Sequence, residues 1–278
     1  MTSLQDQVAL ITGGGGGIGR AIALTFAAAG ADVAILDTVS ARCDEVTERV
    51  RELGRRVIAL PVDATDADAI GNAVATIDET FGRLDILVNN VGGVARRNFL
   101  AQSERSRQRH IALNLGSMFA ATAAAAPLIV RGGRGGAIIN VSSIEGSRAA
   151  PGFAVYAACK AAMNNFTRSM ALELADDRIR VNAIAPDYTR TPGTQGNLSG
   201  PVDPSTWTEA SPEWAETLAR RIPLGRPGID MECGQAALFL ASPMSAYVTG
   251  VILPVDGGSW ASSGWHRDRA GVWALSSG

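Results

Sequence analysis

Tyr156 and Lys160 are the two residues whose types and spacing most directly suggest chemistry. Four residues apart on a helix, their side chains share one face and lie close enough to interact. Lys160 is also the only lysine in a chain with 25 lysines and arginines in total. Arginine is a wide planar fork, whereas lysine is a compact point charge on a flexible stem, the better shape for bringing an ammonium near a phenol. A free phenol has a pKa of about 10, too high for a base at neutral pH. A positive charge about 4 Å away is worth roughly 4 kcal/mol at an effective dielectric of about 20. The pair therefore predicts a tyrosine pKa lowered by up to about three units, towards the range where acid–base catalysis is most effective. Ordinary helices with a surface lysine show the same spacing, so the pair needs support from the rest of the chain.

That support starts with the elements that must position it. The apolar run Ala137–Val141 reads as a buried strand, with Ser142 and Ser143 at its C-terminal end. A loop holding Gly146, Pro151 and Gly152 leads from there into the alanine-rich helix of Tyr156. Further back, Val8–Thr12 reads as a first buried strand, and five glycines, Gly13 to Gly17, separate it from Ile18, Gly19 and a helix over 20–29. Glycines between a strand and a helix let a pyrophosphate approach the backbone, and the helix N-terminus offers it free N–H groups. A second strand, 32–36, ends at Asp37, where a carboxylate commonly accepts from the adenosine ribose hydroxyls. It would repel the extra phosphate of NADP, and no Lys or Arg lies in the glycine loop or directly after it, although Arg42 is near. NAD is therefore the expected cofactor; the alternative for Asp37 is a helix cap. A third strand, 57–62, ends at Asp63, a helix spans 65–81, and the strand 86–88 runs into Asn89-Asn90-Val91-Gly92. Strands alternating with helices predict a doubly wound parallel sheet.

The spacing predicts one long helix over 103–126, ended or kinked by Pro127. Asn114 has poor propensity for a helix interior and needs a reason to be there. The small-residue stretch 120–126 is a candidate subunit contact, and 131–136 reads as an exposed loop. A sixth strand over 179–185, a helix over 231–240 and a seventh strand over 251–255 complete the pattern. The Gly-, Pro-, Ser- and Thr-rich stretch from 193 to 227 has the length of a lid. All five tryptophans lie in that stretch or beyond: Trp207, Trp214, Trp260, Trp265 and Trp273. They fit an apolar, ring-shaped substrate or, equally, lid packing and subunit contacts.

With 278 residues, 46% of them hydrophobic, the chain can bury one sizeable α/β core. A net charge of −2 without a basic block disfavours nucleic acid as a partner. Three scattered cysteines (Cys43, Cys159, Cys233) and two histidines (His110, His266) argue against a disulfide framework, a metal site or a histidine-based triad. A strand pattern within the first eight or so residues and no apolar run near 18 residues lead to the expectation of a cytoplasmic protein without signal peptide or membrane span.

Taken together, these motifs resemble those of the short-chain dehydrogenase/reductase family. TGGGGGIG is similar to the family's TGxxxGxG, with Gly13, Gly17 and Gly19 at the glycine positions and Ile18 between the last two. NNVG is similar to NNAG, with Val91 for alanine, and Ser143 lies thirteen residues before Tyr156, the family's spacing, which disfavours Ser142. PDYTRTP, residues 186–192, is similar to PGxxxTP, with Asp187 in place of the usual glycine, and the C-terminal VTG and DGG also match. The resemblance covers roughly residues 5 to 260. It implies an α/β fold: one NAD-binding Rossmann-type domain over 1–278, with a seven-stranded parallel sheet flanked by helices, a substrate loop or lid at 187–229, and a C-terminal extension at 259–278. It implies hydride transfer between NAD and a secondary alcohol or ketone. The catalytic set would be Asn114, Ser143, Tyr156 and Lys160, with Asn114 anchoring a proton relay. The cofactor set would be Gly13, Gly17, Ile18, Gly19, Asp37, Asp63, Asn90, Gly92, Tyr156, Lys160, Pro186, Thr189 and Thr191. The substrate set would be Ser143, Glu145, Phe153, Tyr156, Tyr188 and Trp207, and no metal is expected. A homotetramer or dimer is implied, with steroid, terpenoid, polyol and aromatic diol all open as substrates. Two alternatives remain at this point: a 3-oxoacyl-carrier-protein reductase, which usually prefers NADPH, and a non-catalytic NAD-binding regulatory protein.

Overall fold

Val8–Thr12 forms β1 with every residue buried, as a continuous apolar run does in a parallel sheet covered on both faces. In the computed structural model, which describes residues 3–195, 197, 200, 202 and 211–275, β1 is the centre of a seven-stranded sheet. The other strands are β2 (Asp32–Asp37), β3 (Val57–Pro61), β4 (Ile86–Asn89), β5 (Gly136–Val141), β6 (Ile179–Pro186) and β9 (Ile252–Val255). Their order is β3-β2-β1-β4-β5-β6-β9, and every pair is parallel. The order reverses between β1 and β4, so a crevice opens beyond the C-terminal ends of those strands.

Helices cover both faces. On one, α1 (Gly17–Ala28), α2 (Ser40–Glu52) and α8 (Asp230–Ala241) bring Ile22, Phe26, Val46 and Leu240 against Ile11, Val33 and Ile35. Gly234 allows α8 to lie tightly on α1, because a Cβ there would come within 2.6 Å of Thr25 Oγ1. On the other face, α3 (Ala67–Phe81), α5 (Ser117–Gly132) and α6 (Ala154–Glu173) bring Ile70, Ile77, Leu128, Ile129 and Ala171 against Leu10, Leu87, Ile138 and Val181. Asp66 caps α3 by accepting from Ala69 N at 3.0 Å, so that helix starts two residues later than its apolar pattern.

A buried polar ladder fixes β5 and α6 relative to β4. Asn89 and Asn140 are register partners. Asn89 Nδ2 donates to Asn140 Oδ1 at 2.8 Å and to Thr122 Oγ1 at 3.0 Å, and Asn140 Nδ2 donates to Thr167 Oγ1 at 2.8 Å. Fully apolar positions would let α5 and α6 slide; these directional bonds do not.

The long helix expected over 103–126 differs in three ways. It is α4 (Glu104–Ile111), a π-helical turn (Ala112–Gly116) and α5, and it runs on to Gly132, so the loop expected from 131 starts only at Gly133. Pro127 lies inside α5 without ending it. Both Pro127 and Ala123, whose carbonyl loses its donor, are on the exposed face. By length and composition alone Glu104–Gly132 is long and apolar enough to cross a membrane, but half of its most apolar stretch is buried inside the fold, as in a core helix.

The ends of the expected lid are tied. β7 (Thr189–Arg190) pairs in parallel with β8 (Gly228–Ile229), and α7 (Pro212–Arg221) lies between them in the chain. The C-terminal segment forms a small antiparallel hairpin, β10 (His266–Arg267) with β11 (Trp273–Ala274), and β10 packs on α7 of the same chain.

Candidate active site

The crevice is a cavity of about 800 Å³. Its floor is the glycine loop. Gly13 and Gly17 have φ of +63° and +51°, which side-chain-bearing residues rarely adopt. A Cβ on Gly19 would collide with Gly13 O and come within 2.5 Å of Asn90 Nδ2, so only glycine fits. Asn90 holds the loop to β1 by donating from Nδ2 to Thr12 O at 3.1 Å and to Gly13 O at 3.0 Å. Gly16, Gly17 and Ile18, at the N-terminus of α1, face the cavity, leaving free N–H groups for an anion.

Asp37 ends β2 at the cavity wall. Its Oδ2 accepts from Gly15 N and its Oδ1 from Val39 N, each at 3.0 Å. A carboxylate has about four lone-pair sites, so both oxygens keep capacity for a ligand hydroxyl. Arg42 also reaches this wall, but Nε donates to Gly200 O at 2.8 Å and Nη2 to Asn197 O at 3.0 Å. Asp63, bonded through Oδ1 to Thr65 N and Oγ1, lines the same end, as do Asn90 and Gly92. The residues present fit an adenosine diphosphate moiety. Pro186, Thr189 and Thr191 line the wall opposite, and the Thr191 side chain lies 3.1 Å from where a Gly17 Cβ would be.

At the end of β5 the two serines part. Ser142 Oγ donates to Asn164 Oδ1 at 2.6 Å and pins α6 to the sheet. Ser143 faces the cavity, where it hydrogen-bonds with Tyr156 and its Oγ reaches Pro186 O at 3.4 Å. Gly146 lets α6 approach, since a Cβ there would meet the Lys160 carbonyl at 2.9 Å. One turn along α6 from Tyr156, the Lys160 ammonium is buried and donates to Val141 O at 2.8 Å. It points to where a Gly92 Cβ would stand, 3.4 Å away, and Asn114 Oδ1 is 2.9 Å from the same point.

Asn114 is fully buried in the π-turn. Its Nδ2 donates to His110 O and Gly93 O, and its Oδ1 accepts from Gly93 N, all at 3.0 Å. This accounts for an asparagine inside a helix: the π-turn frees the His110 carbonyl, and the side chain joins it to the loop after β4. Ser143, Tyr156 and Lys160 meet at one wall of the cavity, and Asn114, from a third element, is buried behind it beside Gly92.

The expected lowering of the Tyr156 pKa is not found. Burial pushes the phenol above its ordinary value, the hydrogen bond with Ser143 acts against that, and Glu145 adds to the rise. Lys160 Nζ lies 5.7 Å from the centroid of the tyrosine ring and itself suffers burial, which lowers its pKa from 10.5 to about 8. Spacing on a helix carries no information about desolvation, and here desolvation is the largest cause for both groups.

Glu145, Phe153 and Tyr188 line the substrate end with Trp214 from α7, which meets the Tyr188 ring edge-on at 6.4 Å. Trp207 lies outside the described residues. Trp260 and Trp265 instead line a second cavity of about 700 Å³ behind the first, and Trp273 stacks on Arg267 in the hairpin. Arg148 and Arg221, for which sequence gave no signal, sit between the two cavities. Both line the second, and each has a guanidinium nitrogen near Asp187 Oδ1, at 3.6 and 3.7 Å.

The model of the family described as enoyl-(acyl carrier protein) reductase matches residues 14–259. An uncharacterized oxidoreductase of Mycobacterium tuberculosis is 40% identical over 258 residues, covering 93% of this chain and 94% of its own. The chain belongs to the short-chain dehydrogenase/reductase family. It is an oxidoreductase of that family, acting on a small molecule. A second relative, the 3-oxoacyl-[acyl-carrier-protein] reductase FabG of Thermotoga maritima, is 38% identical over 256 residues, 92% of this chain and 98% of its own. The structure of a 7α-hydroxysteroid dehydrogenase complexed with NADH and 7-oxoglycochenodeoxycholic acid superposes with a TM-score of 0.84 at 32% identity, covering 92% and 95% of the two chains.

Proposed function

We propose that this dehydrogenase interconverts a secondary alcohol and a ketone with NAD(H). The observation that carries the reading is the meeting of Ser143, Tyr156 and Lys160 in the cavity whose other end is the glycine loop and Asp37, with Asn114 buried behind Gly92 next to the lysine. A bound nicotinamide supplies the hydride acceptor or donor. Tyr156 exchanges a proton with the substrate oxygen; burial, which raises its pKa, favours the phenol, the form that donates to a carbonyl. Ser143 hydrogen-bonds the same oxygen, where one well-placed donor is worth roughly 3 to 4 kcal/mol. Lys160 places a buried charge behind the tyrosine, and Asn114 orders the polar path leading away from it. Phe153, Tyr188 and Trp214 favour a cyclic or bulky substrate, with the segment 187–229 as its cover. Reduced-nicotinamide formation with NAD and NADP, over a panel of cyclic and linear secondary alcohols, tests the reading; no turnover in either direction despite NAD binding would reject it.

A carrier-protein reductase using NADPH is the second reading, favoured by the FabG relative. Asp37 separates the two. Hydrogen bonds to charged groups contribute about 1.5–3 kcal/mol. Asp37→Ala is therefore expected to lower the kcat/KM ratio of NAD over NADP by about tenfold to a hundredfold, and a parent that already prefers NADPH would favour the second reading.

The quaternary proposal rests on α5 and α6, where Phe119 meets Phe166 at 5.0 Å while remaining half-exposed. Phe119→Glu is expected to shift an oligomer towards monomer in light scattering, with no change if these helices face solvent.

A further inference from the structure

Asp187 stands where a glycine is usual, next to the carbonyl that Ser143 Oγ approaches. Its side chain is only 9% exposed and lines the active-site cavity. Oδ1 faces the guanidinium groups of Arg148 and Arg221, but Oδ2 is buried without a hydrogen-bond partner. An unmet buried acceptor is costly and rare, so it calls for a donor. Asp187 lines the cavity together with Glu145, Phe153 and Tyr188, so a bound molecule at that end is in reach of its carboxylate. Arg148 and Arg221 also line the second cavity, which the glycine loop, Asp37 and Asp63 do not reach.

The charges around it narrow the donor further. Glu145 pairs with Arg148 at 2.8 Å and Asp256 also acts on Arg148, so with Asp187 the carboxylates already offset the two guanidinium groups. An anionic substrate would meet the open carboxylate oxygen, and a cationic one would meet two arginines within 3.7 Å of the same carboxylate. A neutral hydroxyl satisfies the oxygen without adding charge.

We propose that the Asp187 carboxylate accepts a hydrogen bond from a second hydroxyl of the substrate, so that this enzyme takes diols or polyols in preference to simple alcohols. The proposal rests on the alcohol/ketone reading above. Because Arg221 belongs to α7, the occupied carboxylate also ties the cover of the site to the bound molecule.

The test uses cyclohexanol and cyclohexane-1,2-diol with NAD, on the parent, Asp187→Gly and Asp187→Asn. A site built to bond a hydroxyl discriminates strongly against a molecule lacking it. The parent is expected to favour the diol by at least about tenfold in kcat/KM. Asp187→Gly is expected to remove that preference, lowering kcat/KM for the diol at least about tenfold more than for cyclohexanol while NAD affinity stays within about threefold, and Asp187→Asn, which keeps one acceptor oxygen, to restore part of it. Equal losses for both alcohols, or a loss of NAD affinity, would overturn the assignment, the latter giving Asp187 to the cofactor. Diol binding to the NAD complex is followed in parallel by tryptophan fluorescence. If the parent oxidises neither alcohol, the alcohol/ketone reading is decided by the wider panel in both directions, and the binding titration decides the role of Asp187: diol affinity lost in Asp187→Gly supports it, and unchanged or absent affinity overturns it.

Discussion

Tyr156→Phe is expected to lower kcat by about a thousandfold or more while leaving NAD affinity within about threefold of the parent. A positioned proton donor contributes about 10²–10⁴-fold. The change removes one hydroxyl from a partly buried ring at the cavity wall and leaves the rest of the packing intact. The Ser143 hydroxyl loses one partner but keeps Pro186 O at 3.4 Å and Glu145 N at 3.2 Å, so the variant should fold. Steady-state kinetics in both directions, with a fluorescence titration for NAD, check this. Retained turnover would take the proton transfer away from Tyr156 and leave the cavity as a binding site.

Lys160→Met is expected to be nearly inactive, with kcat lower by at least about a hundredfold, and its stability relative to the parent should depend on pH in a defined way. Burial lowers the folded-state pKa of the ammonium from 10.5 to about 8. For a lysine shifted down, holding the proton in the folded state opposes folding at every pH below about 8. That opposition fades as pH rises from about 8 to about 10.5, because over that window the unfolded chain binds the proton more tightly than the folded one. At about 1.4 kcal/mol per unit, the relief is about 2 to 4 kcal/mol. Methionine has no such term. The parent should therefore gain about that much stability over the variant between about pH 8 and 10.5, whatever the fixed cost of leaving Val141 O without its donor. Urea unfolding of both proteins across that range measures it; a constant difference would mean that the ammonium is well solvated.

Much of this protein was legible as sequence. The alternation of buried runs with helical stretches gave the doubly wound sheet, because strands covered on both faces must be continuously apolar. The spacing of Gly13, Gly17 and Gly19, of Ser143 and Tyr156, and of Tyr156 and Lys160 located one cavity, because each is local geometry that a strand end or a helix turn converts directly into position. Only the tertiary structure decided what depends on segments far apart in the chain. Asn114 is explained by a π-turn bonded to Gly93, and Ser142 is separated from Ser143 by Asn164. Arg148 and Arg221 reach Asp187 from a loop and a helix with no motif of their own. The direction of the Tyr156 shift was decided there too. A charge four residues away can be counted in a sequence, but the loss of water around the phenol and ammonium exists only once the sheet and α6 have packed together.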